Sequence, residues 1–251
     1  MENDALDHNL RGRIRQQLLE LIGRMDFEYS TRLLSENQLA AKFQVSRSTI
    51  RAVLAELETE GKIIRRHGSG TYVNPPALGV ETTLYPRVNM YDLILKNGYR
   101  PTMDVLFQQD LPAEDRGHKL NLFPFDRVTE VHSIYRGDGK PCMYCIDTVD
   151  ARRFSGVDWK EHEKMPGSIY DYIRMAAHVD ITWDIINIRA SDSNQLPVLR
   201  ECFSVPEGTV KSVVLLEITN FDSANQPALL GNIYIDTDLI RLNIVRDLTK
   251  L

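Results

Sequence analysis

Leu10, Ile14, Leu18, Leu21 and Ile22 recur at the three-and-four spacing of one helical face, which predicts a first helix over about residues 9–24. A second helix opens at the stretch SENQ, where Ser35 supplies the cap and Gln38, three residues on, completes a capping box. Its pattern ends near Phe43. After a short turn, Ser46 caps a third helix that carries Ile50, Val53, Leu54 and Leu57 on one face, runs to Glu60 and stops at Gly61, a residue suited to a left-handed terminus. KIIRRHGSGTYVN then gives two short β-rich runs, Ile63–Arg66 and Thr71–Val73, around a glycine turn. Three helices and a hairpin predict a winged helix-turn-helix over residues 1–74.

The periodicity then breaks. Residues 75–87, PPALGVETTLYPR, hold three prolines and read as a linker. Beyond it the pattern predicts a helix over about 88–97 ended by Gly98 and an extended run over 102–111. Strands follow at 127–136 and 142–149, joined by the GDGKP turn. A helix at 168–177, a strand at 185–191, a short helix at 195–202 and strands at 210–221 and 228–236 complete the reading. Strands joined by hairpins and interspersed with helices predict an α+β domain on an antiparallel sheet over residues 88–251.

Charge sharpens the division. Residues 9–75 hold 11 Lys and Arg against 7 Asp and Glu, a balance of +4, whereas residues 76–251 hold 19 against 25, a balance of −6. A basic module followed by an acidic one implies two domains with different partners. With 43% hydrophobic and 26% charged residues, no apolar run near membrane-spanning length and an acidic polar start, MENDALDHNL, the chain is expected to be cytoplasmic with no membrane partner.

The chemistry sits in the basic module. Arg47, Ser48 and Arg51 share a sector of the third helix beside its apolar stripe, so they point outward when the stripe packs on the first two helices. Ser46, Arg47, Ser48, Thr49 and Arg51 all lie in the first two turns, the part of such a helix that enters a major groove, where Arg donates two hydrogen bonds to guanine. Arg65, Arg66 and His67 stand at the mouth of the Gly68-Ser69-Gly70 turn, which is small enough for close approach to a phosphate or a minor-groove floor.

Elsewhere the signals are structural. Cys142 and Cys145 have C-x-x-C spacing, but no second pair completes a metal site, so they read as buried strand cysteines. The six histidines are scattered without ligand spacing. Asp147 and Asp150 read as turn or surface residues. No cofactor or metal is implied.

LLSENQLAAKFQVSRSTIRAVLAELETEGKIIRRHGSGTYV resembles the DNA-binding domain of GntR-type bacterial transcription regulators, over residues 10–73. The resemblance implies that Arg47, Ser48, Thr49 and Arg51 read an operator and that His67 and Gly68 approach the minor groove. Asn37 and Gln44 depart from the usual Arg and Gly. GYRP at 98–101, DGKP at 138–141, SIY at 168–170 and VPEGT at 205–209 are similar to the UTRA effector domain of the HutC-like branch. That domain resembles chorismate lyase, so the alternative is an enzyme with a DNA-binding appendage; no nucleophile, base and orienting group assemble here, and the expectation is a non-enzyme.

By the same resemblance, Ser133, Tyr135, Cys145, Ser168 and Asp236 are the candidate effector-binding residues. Sugar-phosphate sensors carry two arginines where Ser133 and Tyr135 stand, so the effector is expected not to be a sugar phosphate. A single winged domain contacts a short half-site, which implies a homodimer on a palindromic double-stranded DNA operator, acting as a repressor.

Overall fold

The computed structural model describes residues 2–66, 68–78, 89–164 and 168–243, residues 2–9 by their backbone alone. The chain divides into two compact units, one built on residues up to 86 and one on residues 87–242.

In the first unit, α1 (Glu2–Gly23), α2 (Glu36–Phe43) and α3 (Arg47–Thr59) precede a hairpin of β1 (Ile63–Arg66) and β2 (Gly70–Val73). Helix α1 starts about seven residues before the expected residue 9. Ile14, Leu18 and Ile22 of α1, Leu39 of α2 and the α3 stripe meet Leu33, Ile63 and Val73 in one core. Each such side chain contributes roughly 1.5–3 kcal/mol on burial.

The capping box forms: Ser35 Oγ accepts the Gln38 N–H at 3.3 Å, and Gln38 Oε1 accepts the Ser35 N–H at 2.9 Å. Ser46 Oγ accepts the Thr49 N–H at 3.1 Å and starts α3. Between these helices Gln44 is left-handed, with φ 56° and ψ 44°. The linker reading gains one correction. Pro75–Leu78 form a short helix, α4, whose Ala77 is buried and whose Leu78 packs on the winged core, so the proline pair starts a helical turn instead of ending order. The rest of the predicted linker lies outside the described residues.

In the second unit, α5 (Met90–Lys96), α6 (Ile169–Ala177) and α7 (Pro197–Cys202) accompany one antiparallel sheet. Its strands are β3 (Pro101–Pro112), β4 (Arg127–Gly137), β5 (Lys140–Asp150), β6 (Ile181–Asp192), β7 (Ser212–Asp222) and β8 (Pro227–Ile235), in the order β3-β4-β5-β8-β7-β6. Two meanders of three strands are thus joined where β5 pairs with β8. Two 3-10 segments, Glu114–Leu120 and Trp159–Lys164, carry no periodic signal and were not anticipated. Strand β6 begins four residues earlier than expected, its start paired with Asp222 and Phe221 of β7.

Register divides the sheet into two faces. Tyr144 opposes Tyr234, and both pack with Val213, Leu215 and Leu199 of α7. Cys145 opposes Ile233, and Asp147 opposes Gly231, on the other face. Asp150, at the strand end, pairs with Arg152 at 3.1 Å as a surface residue would. Asp147 does not fit that reading: it is only 8% exposed, because the neighbouring strands and the helices over this face cover it. Among the described residues no donor or cation reaches its carboxyl, and burial pushes that group up to about 7.

Two outcomes follow from these backbone and burial facts. Gln44→Gly removes left-handed strain and should raise unfolding free energy by about 1 kcal/mol in denaturant titration. The Asp147 carboxyl titrates higher folded than unfolded, so its contribution is favourable below the unfolded value and lost as pH rises through about 7. That loss is on the order of 4 kcal/mol. Asp147→Asn should therefore melt above the wild type at about pH 8, with the gap closing towards about pH 4.

Candidate nucleic-acid interface and ligand cavity

The Ser46 cap fixes where α3 begins and so which side chains occupy its first exposed turn. The cap hydroxyl lies 2.7 Å from Ser48 Oγ and 2.8 Å from Thr49 Oγ1. Ser46 is thereby engaged in holding the helix start, while Arg47, Ser48 and Arg51 are exposed beside it and Thr49 is half-buried.

Glu36, at the start of α2, holds both arginines. Its Oε2 lies 3.1 Å from Arg47 Nε and 3.1 Å from Arg51 Nη2. The Arg51 hydrogen bond, with help from Arg47, keeps the Glu36 carboxyl below its ordinary range. Both guanidinium-bearing side chains remain more than half exposed, at 59% and 58%, so the clamp orients them without covering them.

The wing is organised by different contacts from those the sequence suggested. Arg65 turns back to the helix: its Nη2 donates to the Arg51 carbonyl at 3.3 Å, and its Nε lies 3.5 Å from Glu58. It braces the hairpin on α3. Arg66 lies over the Tyr72 ring at 4.6 Å. Gly68, with φ 70°, has open space where a Cβ would stand. His67 lies outside the described residues. Arg32 was missed, because only its long-range bridge to Tyr72 brings it to the wing, where its guanidinium stands beside Gly70.

On the second unit, the sheet face carrying Asp147 is closed over by the starts of α5 and α6, leaving a cavity of about 30 Å³. That is room for about two water molecules, so a larger ligand must displace side chains. Tyr135, Cys145, Asp147, Ser168, Asn220 and Gly231 contribute to its wall. Ser168 caps α6, its Oγ accepting the Tyr170 N–H at 3.2 Å. Burial pushes the Cys145 thiol and the Tyr135 phenol up, so both stay protonated near neutrality. Among the described residues no Lys, Arg or His lines the cavity.

Two of the five candidate effector residues fall outside that wall. Ser133 opposes Cys145 in register and is buried, but does not reach the cavity. Asp236 follows β8 with its carboxylate 3.1 Å from Lys211 Nζ and accepting the Asp238 N–H at 3.0 Å. It closes an ion pair and a turn, because its place in the strand alternation puts it on the face opposite Ile235. Asp147 and Asn220, which line the cavity, were not read as site residues; nothing local distinguishes a carboxylate facing a cavity from one facing solvent. Among the described residues no group of three His, Cys, Asp or Glu could hold a metal ion, and no helix is long and apolar enough to cross a membrane.

A family model described as bacterial regulatory proteins, gntR family, matches residues 10–73, and a UTRA domain model matches residues 96–241. The chain is 29% identical over 160 residues to an uncharacterized HTH-type transcriptional regulator, YurK, of Bacillus subtilis, covering 63% of this chain and 65% of that protein. It is 30% identical over 156 residues to the "Probable fructoselysine utilization operon transcriptional repressor" of Escherichia coli, covering 62% and 63%. The matched segments therefore span a little under two thirds of these relatives. The solved structure of the "possible transcriptional regulator YydK" from Bacillus subtilis shares the fold, with a TM-score of 0.71 over 95% of this chain and 99% of that one, at 18% identity. A helix-turn-helix unit with paired outward arginines, an antiparallel-sheet unit with an internal cavity, and a UTRA match over more than half the residues lead to one assignment: the chain belongs to the gntR family of bacterial regulatory proteins, with a UTRA domain as its second unit.

Proposed function

We propose that the protein is a DNA-binding transcription regulator, a repressor, that pairs as a homodimer on a palindromic operator and responds to a small-molecule effector held in the cavity of the second unit. The observation that carries the reading is the Arg47–Glu36–Arg51 clamp, which presents two guanidinium groups side by side at the start of an exposed helix. Arg can donate two hydrogen bonds to guanine in a major groove. Ser48 and Thr49 flank that pair, Ser46 sets its position, and the wing at His67 and Gly68 takes the adjacent groove. Arg65 enters as the brace between wing and helix, and Arg32 and Arg66 add positive charge for phosphates.

Repressor-named relatives support the sense of the regulation. For the effector, the cavity wall has no cation among its described residues to offset the desolvation of a phosphate dianion, which favours a ligand other than a sugar phosphate.

Operator fragments recovered from a genomic library and titrated by fluorescence anisotropy test the reading. Arg47→Ala and Arg51→Ala should each lose roughly 1–3 kcal/mol of operator affinity while melting as the wild type does. Undiminished binding by both variants overturns the groove assignment. Glu36→Gln should gain affinity for random DNA, having lost a negative charge, and narrow the ratio between operator and random sequence, having lost the clamp. Sedimentation should find a dimer free and on DNA; a monomer in both conditions removes the paired half-site reading.

A further inference from the structure

Two polar groups on the cavity wall are acceptors without a partner, beside the protonated Tyr135 phenol and Cys145 thiol. Asp147 is a buried carboxyl that no donor or cation among the described residues meets. The Asn220 amide is fixed by its Nδ2, which donates to the Leu229 carbonyl at 3.1 Å and so settles which end of the amide is oxygen. The Asn220 Oδ1 is left buried without a partner, on a residue 1% exposed. Native proteins satisfy nearly all buried acceptors, so the orphaned Asn220 Oδ1 beside an unpaired, largely covered carboxyl marks a place where a donor belongs. Gly231 provides the space: a Cβ there would stand 3.4 Å from Asp147 Oδ1 and 3.7 Å from Ile218 Cβ.

We infer that the cavity binds a small organic cation, a primary amine whose ammonium group lies against Asp147 and whose second N–H or O–H donor reaches Asn220. This rests on reading the cavity as the effector site. Register sets the scale of the ligand. Asp147 opposes Gly231 on β8, Ile218 opposes the same glycine from β7, and Asn220 follows two residues on. Asp147 and Asn220 therefore stand two strand spacings across and two residues along the sheet from each other, roughly 12 Å between backbones before their side chains reach inward. An amino alcohol or a short diamine spans such a pair better than a lone ammonium, and either enters by displacing side chains of the wall. Ile218, Leu229 and Ile233 cover its carbon chain. An anion would meet a carboxylate with no cation beside it, and an uncharged ligand would leave that carboxylate unpaired.

The full chain is tested by thermal shift and calorimetry at about pH 8, where Asp147 is ionised. Ethanolamine, n-butylamine and 1,4-diaminobutane are compared with ethylene glycol, n-butanol, 1,4-butanediol and butyrate at equal ionic strength. A saturable rise in melting temperature is expected for ethanolamine or 1,4-diaminobutane and for none of the uncharged or anionic compounds. Asp147→Asn should weaken that binding at least ten-fold. Gly231→Ala, which keeps the carboxylate and fills the space beside it, should weaken it too; the added methyl makes only ordinary contacts, so this variant folds. An equal response to the alcohols or butyrate, retention of amine binding by both variants, or no response to any amine overturns the inference and leaves a hydrated polar cavity. Operator binding measured on the same samples separates the two levels: DNA binding without amine binding removes this inference alone, and amine binding without DNA binding removes the regulator reading alone.

Discussion

Strand β5 runs through the middle of the six-stranded sheet, paired with β4 on one side and β8 on the other, so its backbone is satisfied and its side chains must be accommodated on two covered faces. Alternation then assigns each residue to a face. Tyr144 goes to the apolar cluster with Tyr234 and Leu199, while Cys145 and Asp147 go to the cavity. A slip of one residue would exchange these sets and bury Tyr144 where Gly231 leaves space only for a small group. The apolar cluster holds the register, and the register holds Asp147 in place. A carboxyl so enclosed is expensive to ionise, and it persists there because the surrounding sheet is over-determined by its paired strands.

The first unit obeys a similar logic on a smaller scale. Its apolar core fixes the three helices, and the polar contacts at the α2–α3 junction decide what they present. Exposed ion pairs such as Arg47–Glu36 and Arg51–Glu36 contribute little to stability, typically under about 1 kcal/mol. Their consequence is directional: one carboxylate from α2 restrains two long side chains of α3 that would otherwise sample many rotamers. Arg65, bonded to the Arg51 carbonyl, adds the hairpin to the same arrangement. A helix start, a neighbouring helix and a wing strand are thereby tied at one residue.

The winged unit was legible because its signals are local. Ser35 with Gln38, Ser46 with Thr49 and the Gly61 terminus each act within a few residues, and the α3 stripe repeats at helical spacing. The central strands were legible too, since GDGKP marks a hairpin. What escaped was set by distance along the chain. The two 3-10 segments have too few turns for a period, and the start of β6 is fixed by pairing with β7 some forty residues later. The surroundings of Asp147 and Asp236 escaped for the same reason. From the sequence, one looked superficial and the other lined a pocket; in the sheet, cross-strand neighbours bury Asp147 against open space and Lys211 neutralises Asp236. Arg32 and Arg65 show the converse, basic residues whose placement depends on a bridge to Tyr72 and a carbonyl on α3.

A ligand in the cavity can alter DNA binding only through a difference in its affinity for two arrangements of the chain. Asn89 and Met90, the cap and first residue of α5, belong to the cavity wall, and the Asn89 side chain caps that helix by accepting the Tyr91 N–H at 3.0 Å. Only ten residues separate Asn89 from Leu78, which packs on the winged core. On the function proposed above, a ligand that repacks the cavity wall therefore acts close along the chain to the winged core. The free energy a ligand can supply for that change is largest where it meets a buried group without a partner. On that reading the point is the Asp147 carboxyl, so the interaction with most leverage is the one that pairs a buried negative charge.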